Sequence, residues 1–162
     1  MDELEAGLGE AAKMPPDLPW DRVETMRVDE AHEQFLWKLF RNDAIHASAF
    51  DGTYRWTYKT KHTPIFDVDR EGRIYVMSPH GNEVKMLSHQ GEELESFELR
   101  MGELQPDSSH PLTYLRVHER KLFIKRRHPA ELFQVYDLTS RQRKHVEQAE
   151  HEMLPVTLGT KR

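Results

Sequence analysis

Hydrophobic and polar positions alternate in a pattern that recurs three times along the chain. Each copy has an apolar-x-Val-polar segment, a short polar turn and a second apolar segment, in residues 26–37, 66–76 and 115–124. An alternation of period two is typical of strands that are buried on one face. The valines that anchor the three copies are 40 and 49 residues apart: Val28, Val68 and Val117.

Each copy continues with two further strand-like segments. An apolar-polar-apolar-apolar stretch leads into a turn of small and polar residues in 47–52, 84–91 and 133–140. A fourth strand is predicted over Tyr54–Thr60, Glu93–Leu99 and Arg141–Val146. Asp51-Gly52 and Gln90-Gly91 suit hairpin turns because glycine adopts a positive φ at little cost. Four short strands per repeat are typical of a propeller blade. The sequence therefore predicts an all-β fold of three four-stranded, propeller-like blades.

Two of these segments resemble known propeller repeats. Residues 45–60, with an Asp-Gly turn followed by Trp-x-Tyr, resemble the blade ending of pyrroloquinoline-quinone-type repeats. Residues 66–99, with Gly-Arg-Ile-Tyr-Val and a later Gln-Gly turn, are similar to NHL-type and related six-bladed propeller repeats. The resemblance covers about residues 23–146 and implies a fold more than a function. It supplies no quinone-binding residues, and the third copy departs from it with Ser140 at a position where a turn glycine is usual.

Three blades do not close a ring, which takes roughly four to eight blades. The open edges at each end would recruit other strands. We expect another chain to complete the ring, most simply as a homodimer of three plus three blades, because a twofold dimer closes without open-ended growth. The alternatives are a free three-sheet array capped by the two termini, and a chain that is one part of a longer protein.

Composition adds an acidic N-terminal region to this picture. The net charge is −5, and residues 1–33 alone hold ten acids and three bases. We therefore divide the chain into an acidic, proline-punctuated leader (1–21), a repeat domain (22–148) and a tail (149–162). A short helix or an irregular segment is expected after Val146. The absence of cysteine excludes disulfides and thiol chemistry. Without a signal peptide or apolar span the chain as written is expected to be cytoplasmic, or extracytoplasmic if a leader was trimmed.

Chemistry-bearing residues gather in the loops expected on one face of the blades. In the propellers that this chain resembles, ligands meet the loops between the second and third strands and the loops between blades. Those loops are basic and rich in histidine: Arg41, Lys61, His62, His80, Arg100, His110, Arg126, Arg127 and His128. A basic face on an acidic protein favours an anionic ligand or an acidic protein segment, and the acidic leader is itself a candidate occupant. Ordinary solvated loop residues are the alternative.

Four of the histidines offer a metal-binding alternative: His62, His80, His110 and His128. Imidazole binds zinc, copper and iron, so these side chains would suit a metal-dependent lyase or hydrolase. The chain has no H-x-H or H-E-x-x-H spacing and no G-x-S-x-G elbow, and we assign no catalytic residue. We expect no cofactor, with a divalent transition metal as the alternative. The Glu147, Glu150, His151 and Glu152 cluster is interpreted as a solvated face.

The remaining aromatic and basic residues have simpler interpretations. We assign packing roles between blades to Trp37, Trp56, Tyr75, Phe123 and the three anchor valines. The basic C-terminal third would suit nucleic acid, but its aromatics are expected to face the sheet packing and the pI of about 6.1 does not fit a general nucleic-acid binder. The sequence thus favours a non-catalytic binding or scaffolding module, and no membrane partner is expected.

Overall fold

The computed structural model describes residues 20–99, 111–127, 133–140 and 142–146. Those residues form three four-stranded antiparallel sheets, one for each repeat in the sequence. The first sheet contains β1 Val23–Asp29, β2 Gln34–Leu39, β3 Ala44–Ala49 and β4 Tyr54–Lys59. The second contains β5 Ile65–Val68, β6 Ile74–Met77, β7 Glu83–Leu87 and β8 Glu93–Glu98. The third contains β9 Leu112–His118, β10 Lys121–Arg126, β11 Phe133–Asp137 and β12 Gln142–Val146.

Within each sheet the strands are ordered as they occur along the chain. The same register recurs in the inner hairpins, where Val28 pairs with Phe35, Val68 with Ile74 and Val117 with Leu122. The first strands of neighbouring sheets lie side by side, β1 with β5 and β5 with β9. This meander, with its innermost strands adjacent, is the blade arrangement that the repeats predict. The predicted all-β, three-blade fold is confirmed.

Apolar residues from facing sheets form two continuous cores. Between the first and second sheets, Leu36 and Ile45 pack with Phe66 and Ile74. Between the second and third sheets the buried side chains are Tyr75, Met77, Val84, Leu115, Leu122 and Ile124. Alternate residues of β6 enter different cores, since Ile74 and Val76 face the first sheet whereas Tyr75 and Met77 face the third. The continuous apolar run of β6 is thus a strand buried on both faces.

A third cluster contains only first-sheet residues among those described. Phe35 and Trp37 are its buried members, and Val28 packs against them. Because side chains alternate along β2, this cluster lies on the face opposite to Leu36, away from the second sheet. Among the described residues, Trp37 and Val28 therefore contact only the first sheet, and their predicted packing against another blade stays a prediction. The other residues assigned to packing are buried or half-buried, and Phe123 is 4% exposed.

A polar network joins the first two sheets at the end that carries the β1–β2 turn. Asp29 is buried and accepts hydrogen bonds from the backbone N–H of His32 and from Gln34 Nε2, while its Oδ2 lies 2.9 Å from His32 Nδ1. The His32 imidazole stacks on that of His89 with ring centroids 3.6 Å apart. The His89 carbonyl accepts hydrogen bonds from Gln34 Nε2 and Trp56 Nε1, each at 2.9 Å. These contacts fix the β7–β8 turn against the first sheet.

The outer parts of the predicted domain division lie outside the described residues. This applies to residues 1–19, which make up nearly all of the acidic leader, and to residues 147–162, which include the segment expected to be helical or irregular after Val146. The fourth strand of the third repeat ends at Val146 as the pattern predicted. No helix in the described ranges is long and apolar enough to cross a membrane.

Candidate functional site

A groove of about 630 Å³ lies between the first and second sheets. Its mouth is formed by the loop that joins the two sheets, residues 60–64, and by the β6–β7 loop, residues 78–82. Both loops belong to the face on which the sequence placed the binding residues. The structure brings three of the predicted residues together in this groove: Lys61, His62 and His80.

The loop that carries Lys61 and His62 is held by backbone and side-chain hydrogen bonds. Thr60 N–H donates to the carbonyl of Asp43, and the Thr63 hydroxyl donates to the Asp43 carboxylate. A further hydrogen bond runs from the Thr60 hydroxyl to the His62 carbonyl. On this loop Lys61 and His62 are exposed and line the groove. Within the described ranges Lys61 has no ion-pair partner.

The inner wall of the groove carries a fixed Tyr-Glu-Lys contact. The Tyr58 hydroxyl donates to Glu93 Oε2 at 2.7 Å, and Lys85 Nζ lies 3.4 Å from the same oxygen. The hydrogen bond from Tyr58 lowers the pKa of Glu93, while burial is the main cause that raises the pKa of Tyr58. At neutral pH Glu93 is therefore ionised and Tyr58 protonated. General acid–base catalysis works best when the pKa of the group lies near the operating pH, and both shifts move the pKa values away from neutrality.

Arg126 reaches the β6–β7 loop from the third sheet. It is 4% exposed, and its guanidinium donates from Nη2 to the Gly81 carbonyl at 2.7 Å and from Nη1 to the Pro79 carbonyl at 3.5 Å. Leu112 N–H also donates to the Pro79 carbonyl, at 2.6 Å. Arg126, which the sequence pattern predicts to lie on the exposed loop surface, instead ends strand β10 and is buried. The loop carbonyls of the second sheet accept its hydrogen bonds.

The other predicted binding residues lie elsewhere. Arg41 has a left-handed backbone with φ of 58° and its guanidinium carbon lies 5.2 Å from the Phe40 ring centroid. It lines a separate depression, formed by the beginning of β1 and the β2–β3 loop, together with Asp21 and Asp43. Arg127 is exposed, and its backbone N–H donates to the Pro111 carbonyl. Three predicted residues lie outside the described residues: Arg100, His110 and His128.

Two of the four histidines predicted as metal ligands lie in the same groove. His62 and His80 both line the groove, whereas His110 and His128 are outside the described ranges. The part of the chain that the structure describes contains no group of three or more histidine, aspartate or glutamate side chains arranged to hold a metal ion. The metal assignment therefore stays a prediction from the sequence.

A charged cluster on the innermost strands was not singled out from the sequence. Arg27 Nε lies 3.2 Å from Asp67 Oδ1, and Asp67 Oδ2 accepts a hydrogen bond from the backbone N–H of Val117 at 2.8 Å. Asp67 is 7% exposed, and burial raises its pKa against the opposing effects of Val117 N–H and Arg27. The signal was present in the repeats, since Arg27, Asp67 and Arg116 each precede an anchor valine. The available indication was a charged residue at the x position of the apolar-x-Val-polar segment in all three copies.

Comparison with known proteins bears on the fold. No protein-family model matches the sequence, and no curated protein matches it. The chain is similar to the solved structure of apo AztD from Citrobacter koseri, with a TM-score of 0.55 and 16% identity over 82% of this chain and 36% of that one. It is also similar to virginiamycin B lyase from Staphylococcus aureus, with a TM-score of 0.56 and 11% identity over 76% of this chain and 40% of that one.

A protein of unknown function from Bacteroides caccae is similar at a TM-score of 0.54 and 11% identity, over 76% of this chain and 45% of that one. The chain thus spans less than half the length of each of these solved structures. AztD and virginiamycin B lyase have propeller-type folds. Identities this low carry the fold alone. The three sheets of this chain are therefore blades of a propeller-type fold.

Proposed function

We propose that this chain is a non-catalytic binding module whose groove between the first and second sheets takes an anionic ligand or an acidic protein segment. The observation that carries the proposal is the convergence of Lys61, His62 and His80 on that groove from two separate loops. Loops on a rigid β scaffold are a common place for binding residues. The groove has the volume of a small-molecule or short-peptide site.

The charges around the groove support an anionic ligand. Lys59 and Lys61 stand at its mouth, and neither has an ion-pair partner within the described ranges. The acidic residues of the lining already have partners, since Glu93 contacts Tyr58 and Lys85. Glu83 accepts a hydrogen bond from Ser96 at 2.6 Å. The lining holds three lysines and two glutamates, so its net charge is positive, which attracts anions and speeds their association.

The experiment measures binding of a fluorescent eight-glutamate peptide to the full chain by anisotropy, at low and at physiological salt. A single Lys61→Ala substitution should weaken binding about two- to five-fold, the range for one exposed charge. Substituting Lys59 as well should weaken it further. Binding should also weaken as the salt concentration rises, because exposed charges are screened.

Two controls make the result specific. Lys121→Ala removes an exposed lysine from the beginning of β10, at the other end of the sheets, and should leave binding unchanged. An eight-glutamine peptide should bind more weakly than the glutamate peptide. The proposal fails if the two peptides bind equally, or if Lys59→Ala/Lys61→Ala binds the glutamate peptide as the unaltered chain does.

A metal-dependent lyase or hydrolase is the second candidate, supported by the placement of His62 and His80 on one groove. One of the similar structures is, by its name, a lyase. Elemental analysis of protein purified without a histidine tag tests this candidate. Stoichiometric transition metal that is lost in His62→Ala/His80→Ala would favour it over the binding module, and metal-free protein would exclude it.

We further propose that a second copy of this chain, or another chain carrying blades, completes the ring. The proposal is supported by the propeller-type neighbours, each of which is more than twice as long as the region matched here. Size-exclusion chromatography with light scattering should give twice the 19.2 kDa mass of the chain at micromolar concentration. A strict monomer would rule out the homodimer.

A further inference from the structure

The residue before the anchor valine is charged in every repeat, and the fold brings the three together. Arg27, Asp67 and Arg116 occupy equivalent positions of β1, β5 and β9, the innermost strands of the three sheets. Those strands are neighbours in space, β1 beside β5 and β5 beside β9. In a propeller the innermost strands surround the central channel. The cluster shares no residue with the groove described above.

Both oxygens of the carboxylate at the centre of the cluster have a partner. Asp67 Oδ1 faces Arg27 Nε at 3.2 Å, and Asp67 Oδ2 accepts the Val117 N–H at 2.8 Å. Since this hydrogen bond reaches from the second sheet to the backbone of β9, it fixes the carboxylate in place. The charge of Arg116 also favours the ionised carboxylate, against the burial that raises the pKa of Asp67, so one carboxylate faces two guanidinium groups.

The two arginines are held in the same way in their separate strands. Arg27 Nη1 donates to the Met26 carbonyl at 2.9 Å, and Arg116 Nη1 donates to the Leu115 carbonyl at 3.0 Å. The guanidinium carbon of Arg116 also lies 5.2 Å from the centroid of the Tyr114 ring. Each guanidinium thus uses one nitrogen on its own backbone, and its position is set before any ligand arrives.

The cluster carries an excess of positive charge in a half-buried place. It holds two guanidinium groups and one carboxylate, and the buried Arg27 Nε is in an ion pair with Asp67 Oδ1 that lacks hydrogen-bond geometry. Burial is the main cause that lowers the pKa of Arg27, and the nearby charge of Arg116 lowers it further. The single carboxylate of Asp67 leaves the two guanidinium groups incompletely neutralised, and this excess of positive charge favours the binding of a further anion. Guanidinium groups match the oxygens of carboxylate and phosphate in planar, bidentate geometry.

We propose that Arg27 and Arg116 form an oxyanion site on the innermost strands, which binds a phosphate or carboxylate group, with Asp67 as the fixed carboxylate that positions Arg27. The site is independent of the groove between the first two sheets. It uses three positions that are equivalent in the repeats, and the ligand would enter from the side on which the innermost strands line the channel.

Thermal unfolding of the full chain tests the site, with inorganic phosphate and acetate added separately at constant ionic strength against sodium chloride. A ligand that binds the folded state raises Tm in a saturable way, by on the order of 3 °C at ten times its Kd for a domain of this size. Saturation by phosphate alone would assign a phosphate group, and saturation by acetate alone would assign a carboxylate. Saturation by neither anion overturns the proposal.

Variants locate the effect. In Arg116→Gln the saturable rise should disappear, whereas Arg116→Lys should keep part of it because the charge remains. Arg70→Gln removes an exposed arginine from the β5–β6 turn and should respond like the unaltered chain. Lys61→Ala distinguishes this site from the groove. A saturable rise in Tm that persists in Lys61→Ala supports a site on the innermost strands. A response that Lys61→Ala abolishes and Arg116→Gln retains would overturn the site. Far-UV circular dichroism at 20 °C verifies that each variant is folded before it is compared.

Discussion

Replacing Gly72 with alanine should disrupt the polar network that joins the first two sheets. Gly72 has φ of +87°, and a Cβ there would lie 2.3 Å from His32 Nδ1 and 2.9 Å from Asp29 Oδ2. An L-residue in this region of φ costs about 1–2 kcal/mol. The imidazole must also leave Asp29, and a hydrogen bond to a charged group contributes about 1.5–3 kcal/mol. Allowing for partial relaxation of the His32 side chain, we expect a loss of about 3 kcal/mol in the free energy of unfolding.

The assay is thermal and urea unfolding followed by circular dichroism. For a domain of this size about 3 kcal/mol corresponds to a fall in Tm of roughly 6–12 °C. Gly81→Ala is the matched control, because a Cβ at Gly81 would meet Ser78 Cβ at 3.7 Å and the Glu83 nitrogen at 4.0 Å, both ordinary contacts. Its effect should stay within about 0.5 kcal/mol. In a His32→Ala background, Gly72→Ala should lower the free energy of unfolding only by the cost of the positive φ, about 1–2 kcal/mol. Equal stability of Gly72→Ala and Gly81→Ala would refute this reasoning.

Three further predictions test the core, the inner-strand ion pair and a half-buried histidine. Leu122→Ala should lower the free energy of unfolding by about 2–5 kcal/mol in urea titrations, because Leu122 is 0% exposed in the core between the second and third sheets; a loss below 1 kcal/mol would contradict that packing. Asp67→Ala should cost about 2–4 kcal/mol, since it leaves Arg27 half-buried without its carboxylate, and Asp67→Asn should cost less because an amide oxygen still accepts the Val117 N–H. Burial lowers the pKa of His46 from its ordinary value of 6.5, so the folded state favours the neutral imidazole. This contribution is complete above pH 6.5 and is lost as the pH falls below it, so the free energy of unfolding should decrease less between pH 7.5 and pH 5 in His46→Gln than in the unaltered chain; parallel pH profiles would exclude it.

The fold could be predicted from the sequence because strand alternation and turn residues are local features of the chain. A strand that is buried on one face must alternate, and the turns at Gly52 and Gly91 need the positive φ of 96° and 81° that glycine tolerates. The convergence of His62 and His80 followed from topology, since the loop between blades and the loop between second and third strands emerge at the same end of the sheets.

What the sequence did not predict depends on contacts between distant residues. Arg126 was expected to be exposed, but it is buried against the backbone carbonyls of Pro79 and Gly81. Every residue has a backbone carbonyl, so the sequence does not indicate which of them will accept a hydrogen bond. The same holds for the His89 carbonyl, which accepts hydrogen bonds from the first sheet. The cluster of Arg27, Asp67 and Arg116 was missed for another reason. A charged residue in a strand is expected to face solvent, and only the packing of neighbouring sheets shows that it is partly buried.

The hydrogen bonds from Arg126 have a consequence for any attempt to reduce this protein to a minimal unit. A fragment that stops before β9 would retain every side chain that lines the groove. It would nevertheless lose the guanidinium that holds the Pro79 and Gly81 carbonyls in place. One lip of the groove would then be free to move, and His80 with it. The first two sheets thus supply the lining of the groove, and the third sheet holds one of its loops in place.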